Sequence, residues 1–275
     1  MRLAWITDPH LDHLNAGALR RFCTELAVLP ADALVITGDI AVGATLDIHL
    51  AELDSALPFP VYFVLGNHDF YGSSFGAVRR VVAAATRSAR RLVWLATAGV
   101  VPLTPDTALV GIDSWYDGRL GDYLHSHVQD VMVDFEAIAD LAVGDARDRL
   151  ELLERLGDEA ARSVRRLLPG ALDRFEHVIL ATHVPPFREA CWHDGAISDD
   201  NWLPFFTCKA VGDELLRILA RYPGRRLTVL CGHSHGGGET RLLPNLLVKT
   251  GAAEYGRPRV SEILDLGVGE RGDLR

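Results

Sequence analysis

No C-x-x-C pair occurs in this chain. Its four cysteines, Cys23, Cys191, Cys208 and Cys231, are scattered, which argues against a zinc knot built on paired thiolates and leaves free thiols as the expectation. No apolar stretch reaches membrane-spanning length, so no spanning helix is expected. No leader pattern precedes the first apolar run at Arg2–Ile6, and a cytoplasmic location is expected on that ground. An extended basic stripe interleaved with aromatics is also missing. With a net charge of −9, this weighs against long nucleic-acid polyanions as partners. The arginine pairs Arg79-Arg80, Arg90-Arg91, Arg165-Arg166 and Arg225-Arg226 lie on or beside expected helices and read as solvated faces. Finally, there is no internal repeat, linker or low-complexity stretch. At 48% apolar content the 275 residues suffice for a large core, and one domain over 1–275 is expected.

What the chain does have is five short polar motifs, each directly after an apolar, β-prone run. Leu3–Ile6 precedes Asp8-Pro9-His10, and Ala33–Ile36 precedes Gly38-Asp39. Val61–Leu65 precedes Gly66-Asn67-His68-Asp69. His177–Leu180 precedes Ala181-Thr182-His183, and Leu227–Leu230 precedes Gly232-His233-Ser234-His235. Runs of this kind, bounded by turn residues, read as strands covered on both faces. In α/β sheets functional groups gather in the loops at the carboxyl ends of such strands, so motifs far apart in sequence can share one rim. The motifs offer carboxylate, amide and imidazole donors and no thiolate, a set suited to divalent first-row metals.

The first half reads βαβαβ, with helices over Ala16–Val28 and Ser74–Ser88 and strands near Leu92–Leu95 and Ala108–Ile112. Val128 to Leu168 is expected to be mostly helical, with an amphipathic outer helix over Asp145–Leu168 stopped by Pro169-Gly170. His125 and His127 follow no strand and read as surface or capping residues, and His13, His49 and His177 read as structural.

In order and spacing, the five motifs resemble those of the calcineurin-like metallophosphoesterase superfamily, D-x-H, G-D, G-N-H-D/E, H and G-H-x-H, over roughly residues 1–250. The resemblance implies an α/β fold: a four-layer α/β/β/α sandwich of two mixed sheets flanked by helices. It implies Asp8, His10 and His235 as ligands of one metal, Asn67, His183 and His233 as ligands of a second, and Asp39 as the bridge. Two divalent cofactor ions, Mn, Fe or Zn, are implied, holding a bridging hydroxide that attacks phosphorus. His68 would assist the leaving oxygen and Asp69 would orient it. Protein Ser/Thr phosphatases carry an arginine soon after the second motif and glutamate in the third. Purple acid phosphatases place a tyrosine after the second. Ile40–Val42 and Asp69 match neither branch, and the start Asp8-Pro9-His10-Leu11 leans toward phosphodiesterases and nucleases.

The expected activity is therefore hydrolysis of a small phosphate ester, with phosphodiesterase ahead of phosphomonoesterase and nucleotide pyrophosphatase. The net negative charge does not oppose this, since the metals would supply local positive charge. A non-catalytic scaffold of the same fold is the reading from another class, and the full ligand set with His68 speaks against it. Residues 184–208 contain Trp192, His193, Trp202, Phe205 and Phe206 and are expected to form an aromatic lid or wall over the metals, or else a protein interface. Trp115 and Tyr116 are expected in the substrate cleft together with Trp192 and Trp202.

Overall fold

Ala33–Thr37 and Thr107–Gly111 are buried at every position, so neither face of either segment meets water. Such strands need a layer on each side. The computed structural model, which describes residues 1–142 and 144–267, supplies those layers. The expected domain span reaches residue 275, and residues 268–275 lie outside the described range.

In chain order the first half comprises β1 (Arg2–Ile6), α1 (Ala16–Ala27), β2 (Ala33–Thr37), α2 (Leu46–Ala56), β3 (Val61–Val64), α3 (Phe75–Ser88) and β4 (Leu92–Trp94). A short α4 (Leu95–Ala98), β5 (Val101–Pro102), β6 (Thr107–Gly111), a short α5 (Asp134–Ala137) and α6 (Ala146–Arg174) follow. The remainder is β7 (His177–Ala181), β8 (Trp192–His193), β9 (Ala196–Ile197), α7 (Leu203–Phe206), α8 (Lys209–Leu219), β10 (Arg226–Cys231), β11 (Gly238–Leu243), β12 (Leu246–Thr250) and β13 (Glu262–Asp265).

One sheet has the order β13-β1-β2-β3-β4, and the other β11-β12-β10-β7-β6-β5. The central strands of both are parallel, and the edge strands β13, β11 and β5 are antiparallel. Alternate side chains decide what each face touches. Leu3, Trp5 and Val35 of the first sheet pack against Leu109, Ile179 and Leu230 of the second, so the sheets meet face to face. On the outside, Ile6, Leu34 and Ile36 meet Leu19, Phe22 and Leu50 of α1 and α2. Val178 and Val229 lie in the same cluster as Val164 and Leu168 of α6 and Leu215 of α8. The result is the four-layer arrangement that the motifs' resemblance implied. Among the described residues no helix is long and apolar enough to cross a membrane.

One expectation for the middle of the chain is corrected. Pro169-Gly170 does not stop the long helix, which runs on to Arg174 with Pro169 inside it. Leu168, Ala171 and Leu172 are buried, and their packing outweighs the hydrogen bond that proline forfeits. Most of Val128–Leu168 is helical as expected, with residues 128–142 forming only short turns. These are a 3-10 turn at His127–Asp130 and the single turn α5, which places Asp134 against the third motif loop.

Candidate functional site

The five motif loops leave the carboxyl ends of β1, β2 and β3 in one sheet and of β7 and β10 in the other. Because the central strands are parallel and the sheets face each other, these ends form one rim. Close approach there requires glycine. A Cβ on Gly232 would overlap Thr7 Oγ1 and Asp8 Oδ2, and one on Gly66 would overlap Asp39. Among the described residues six non-glycine positions have positive φ, and five of them are Asp8, His10, Asp39, His233 and His235. This rarely populated backbone region costs energy, and its concentration at five candidate ligands marks the rim as a functional site.

The seven metal-ligand candidates come together. Asp8, His10, Asp39 and His235 each offer a ligand atom within 4.8 Å of the others. His10 Nε2 and His235 Nε2 are 3.1 Å apart, and Asp8 Oδ1 is 3.5 Å from His235 Nε2. Beside this set, Asn67 Oδ1 lies 3.0 Å from His183 Nε2 and 2.9 Å from His233 Nδ1. Ligand atoms at right angles on an ion, each ~2.1 Å from it, are themselves ~3 Å apart. Both sets therefore fit a cation. Asp39 faces both: its Oδ2 is 3.8 Å from His10 Nε2, and its Oδ1 is 3.4 Å from His183 Nε2.

The partners of these side chains fix which atom is offered. His183 Nδ1 donates to Thr37 O at 2.8 Å and His233 Nε2 donates to Phe205 O at 2.8 Å. A carbonyl can only accept, so the free nitrogens are His183 Nε2 and His233 Nδ1, which turn to the site. Asn67 Nδ2 donates to Asp134 Oδ1 at 3.0 Å, which points its oxygen at the histidines. Asp134 also accepts from Tyr116 Oη at 2.8 Å and from Tyr71 Oη.

Charge follows from this crowding. Burial opposes ionisation of Asp39, yet His183, His68 and His10 around it hold its carboxyl well below the usual carboxylate range. Burial alone would lower His183, but Asp39 outweighs it and lifts the imidazole to about 10, so a cation taking its Nε2 would displace a proton from it. Burial holds His10 and His233 down at about 3, so both are neutral, the form that binds metal.

Asp69 does not do what was expected of it. Its Oδ1 accepts from Ile40 N at 2.8 Å and Ala41 N at 3.0 Å, and its Oδ2 accepts from Gly66 N at 2.8 Å. It braces the Asp39 loop against the Asn67 loop and makes no hydrogen bond to His68. The His68 ring instead stacks on Tyr71, with centroids 4.2 Å apart, and its Nε2 lies 3.5 Å from Tyr255 Oη.

The cleft over the ligands has a volume of about 480 Å³. None of Trp115, Tyr116, Trp192 and Trp202 lines it. Trp115 is buried against Phe70 and Phe75. Tyr116 is fully buried, and its ring stacks beside His233 at 5.8 Å, supporting a ligand from behind. Trp192 packs against Gly238, and Trp202 stacks on Phe206 at 5.1 Å. Residues 184–208 reach the cleft only through His193 and Phe206, and Phe205 and Cys191 are buried in the core. The segment is thus packed as a wall of the cleft and not as a lid over it. His125 is exposed and bonded to Asp122, away from the ligands. His13, read as structural, stands on the cleft rim beside Tyr255.

Sequence reasoning passes over Asp134, Tyr71 and Tyr255 and names His193 only as part of the 184–208 segment. Asp134 lies in a stretch that reads as helix, and the other three carry no motif of their own.

The calcineurin-like phosphoesterase family matches residues 1–237. The fold is similar to that of a phosphopantetheinyl hydrolase from Mycobacterium tuberculosis, with a TM-score of 0.67 and 17% identity over 92% of this chain and 89% of that one. It is also similar to a dimetal phosphatase from Danio rerio, with a TM-score of 0.57 and 17% identity over 92% and 87% of the two chains. A third likeness is to the protein TT1561 of Thermus thermophilus, with a TM-score of 0.52 and 14% identity over 91% and 88%. No curated protein matches the chain. With the family match running from β1 through the last candidate ligand, His235, this chain belongs to the calcineurin-like phosphoesterases.

Proposed function

We propose that the chain is a phosphodiesterase working with two divalent cations that share Asp39. Family membership carries the coarser statement, metal-dependent hydrolysis of a phosphoester. The observation that supports the finer one is Asp39 itself, which turns one carboxylate oxygen to each set of ligand atoms. Asp8, His10 and His235 would hold one ion and Asn67, His183 and His233 the other. Carboxylate and amide oxygens with imidazole nitrogens suit Mn, Fe or Zn. Bound there, such ions supply Lewis acidity that activates water and neutralises phosphoryl oxygens.

The chain's own residues do the rest. His68 stands at the cleft edge, 3.9 Å from Asp39 Oδ2, where it can give a proton to the departing alkoxide. Tyr71 holds its ring and Tyr255 meets its Nε2. A diester monoanion needs less compensating charge than a monoester dianion. Among the described residues no lysine or arginine lines the cleft, which favours the diester. The fold likeness to a phosphopantetheinyl hydrolase makes a phosphopantetheinyl ester one substrate to include.

The test is hydrolysis of bis-p-nitrophenyl phosphate against p-nitrophenyl phosphate after stripping metal and adding back Mn, Zn, Fe or Ni. Diester turnover that requires metal is expected. On a diester with a poor leaving group, His68→Ala should keep its metal content and lose roughly 10²–10⁴ in turnover. Preference for the monoester, or an unaffected His68→Ala variant, overturns the reading.

A further inference from the structure

The cleft continues past the ligands onto a wall built from Val42, Val131, Met132, Val133 and Phe206. Val131 is 63% exposed and Val133 57% exposed, so apolar surface faces water at the mouth of a polar site. Among the described residues eight large hydrophobic or aromatic side chains are exposed. Three of them, Val131, Val133 and Tyr255, stand around this one opening. Such clustering marks a binding surface. The wall is rigidly tied to the site. Residue 134, next to Val133, is the aspartate that bonds Asn67, so the segment that orients a ligand also presents the apolar lip.

We propose that the substrate is a phosphodiester with a single phosphoryl group and an uncharged, largely apolar alcohol, which lies on the Val131–Val133 lip. This rests on the phosphodiesterase reading and narrows it. A nucleoside diphosphate or a polynucleotide brings further phosphates, and the described cleft gives them no cationic side chain. An alkyl or aryl group, in contrast, gains by covering the lip and removing exposed valine from water.

The experiment uses p-nitrophenyl diesters with ethyl, butyl and hexyl groups on the full-length, metal-loaded protein. Full burial of a methylene corresponds to about fourfold. A rise in kcat/KM of about two- to fourfold per methylene meeting the lip is expected. The double variant Val131→Asn, Val133→Asn should lower the hexyl-to-ethyl ratio toward unity. Both positions are exposed, so folding is little affected, and asparagine is a good cap residue at position 133, which opens α5. Binding of non-hydrolysable alkyl methylphosphonates, followed by calorimetry, gives the same slope without turnover. A chain-length slope in binding with no turnover overturns the phosphodiesterase reading alone. A flat series in the wild type, or a slope unchanged in the double variant, overturns the apolar-alcohol inference.

Discussion

Asp39 reaches both halves of the candidate site. Its Oδ1 accepts the His68 backbone N–H at 2.9 Å and lies 3.4 Å from His183 Nε2, while its Oδ2 faces His10 and His68. Removing one oxygen's charge therefore weakens both halves at once. Asp39→Asn is expected to lose both ions, each to less than half occupancy, as read by elemental analysis of the purified protein. Loss of one ion with retention of the other would reject the shared role. The same residue sets the charge of its neighbour. His183 is lifted to about 10 because Asp39 outweighs the effect of burial, and neutralising Asp39 removes that counter-charge. The positive φ at Asp8, His10, Asp39, His233 and His235 is a residue-scale property of another kind. Packing around each loop must hold it there, and Gly66 and Gly232 leave the room for it.

At the scale of elements, strand pairing carries polar groups into the interior, and these make stability depend on pH. His177 on β7 shares a hydrogen bond of 2.9 Å with Thr228 Oγ1 on the paired strand β10. Burial, with Arg226 adding to it, holds the imidazole down at about 4 from an ordinary 6.5. Above pH 6.5 neither folded nor unfolded chain protonates this group, and its contribution is fully present. As pH falls from 6.5 toward 4 the unfolded chain takes a proton that the folded chain refuses, and stability is lost. His177→Gln should therefore flatten the fall in stability across that window by up to about 1.4 kcal/mol per pH unit, the value of one proton. Urea unfolding of metal-free wild type and variant at pH 6.5, 5.5 and 4.5 measures it. Parallel curves would show that His177 titrates normally. Loops between elements work by the same economy of polar partners. Asp69 satisfies three buried N–H groups from two motif loops, so its loss would loosen both together.

At the scale of the whole molecule, the candidate ligands join two sheets whose facing sides are apolar and which are also tied by the ion pair of Lys249 on β12 with Glu262 on β13. Asp8, Asp39 and Asn67 come from loops of the first sheet, and His183, His233 and His235 from loops of the second. Ions held between them, as proposed, would act as ties across the sandwich and bind the folded chain in preference to the unfolded one. Metal removal is expected to lower Tm. Added Mn or Zn should restore it in a concentration-dependent way, by about 2.7 kcal/mol at a hundredfold excess over Kd. Calorimetry of the stripped protein against increasing metal checks this, and a Tm indifferent to metal would mean the sheets do not need the tie.

The motifs were legible as local sequence because each is a short polar group after an apolar run, a pattern that needs no knowledge of distant contacts. Asp8, His10, Asp39, Asn67, His183, His233 and His235 could be named in advance for that reason, and parallel strand ends then bring them to one rim. Ser74 to Ser88 was readable as a helix because its cap and its apolar spacing are local too. What surrounds the ligands was not legible. Whether Asp69 meets His68 or the backbone of the next loop depends on how β2 and β3 sit side by side. Whether Trp115 and Tyr116 face substrate or core depends on α6 and α7 packing over them. Tyr255 and His68 are 187 positions apart, and no periodicity links them. Pro169 ends a helix by local preference, yet here the burial of Leu168, Ala171 and Leu172 carries α6 past it. Sequence alone thus determined the donor set and the strand-loop order, since ligand chemistry and strand propensity are properties of short segments. Tertiary structure alone decided which groups orient the ligands and what the cleft wall is made of, because hydrogen-bond partners and burial are set between elements distant along the chain.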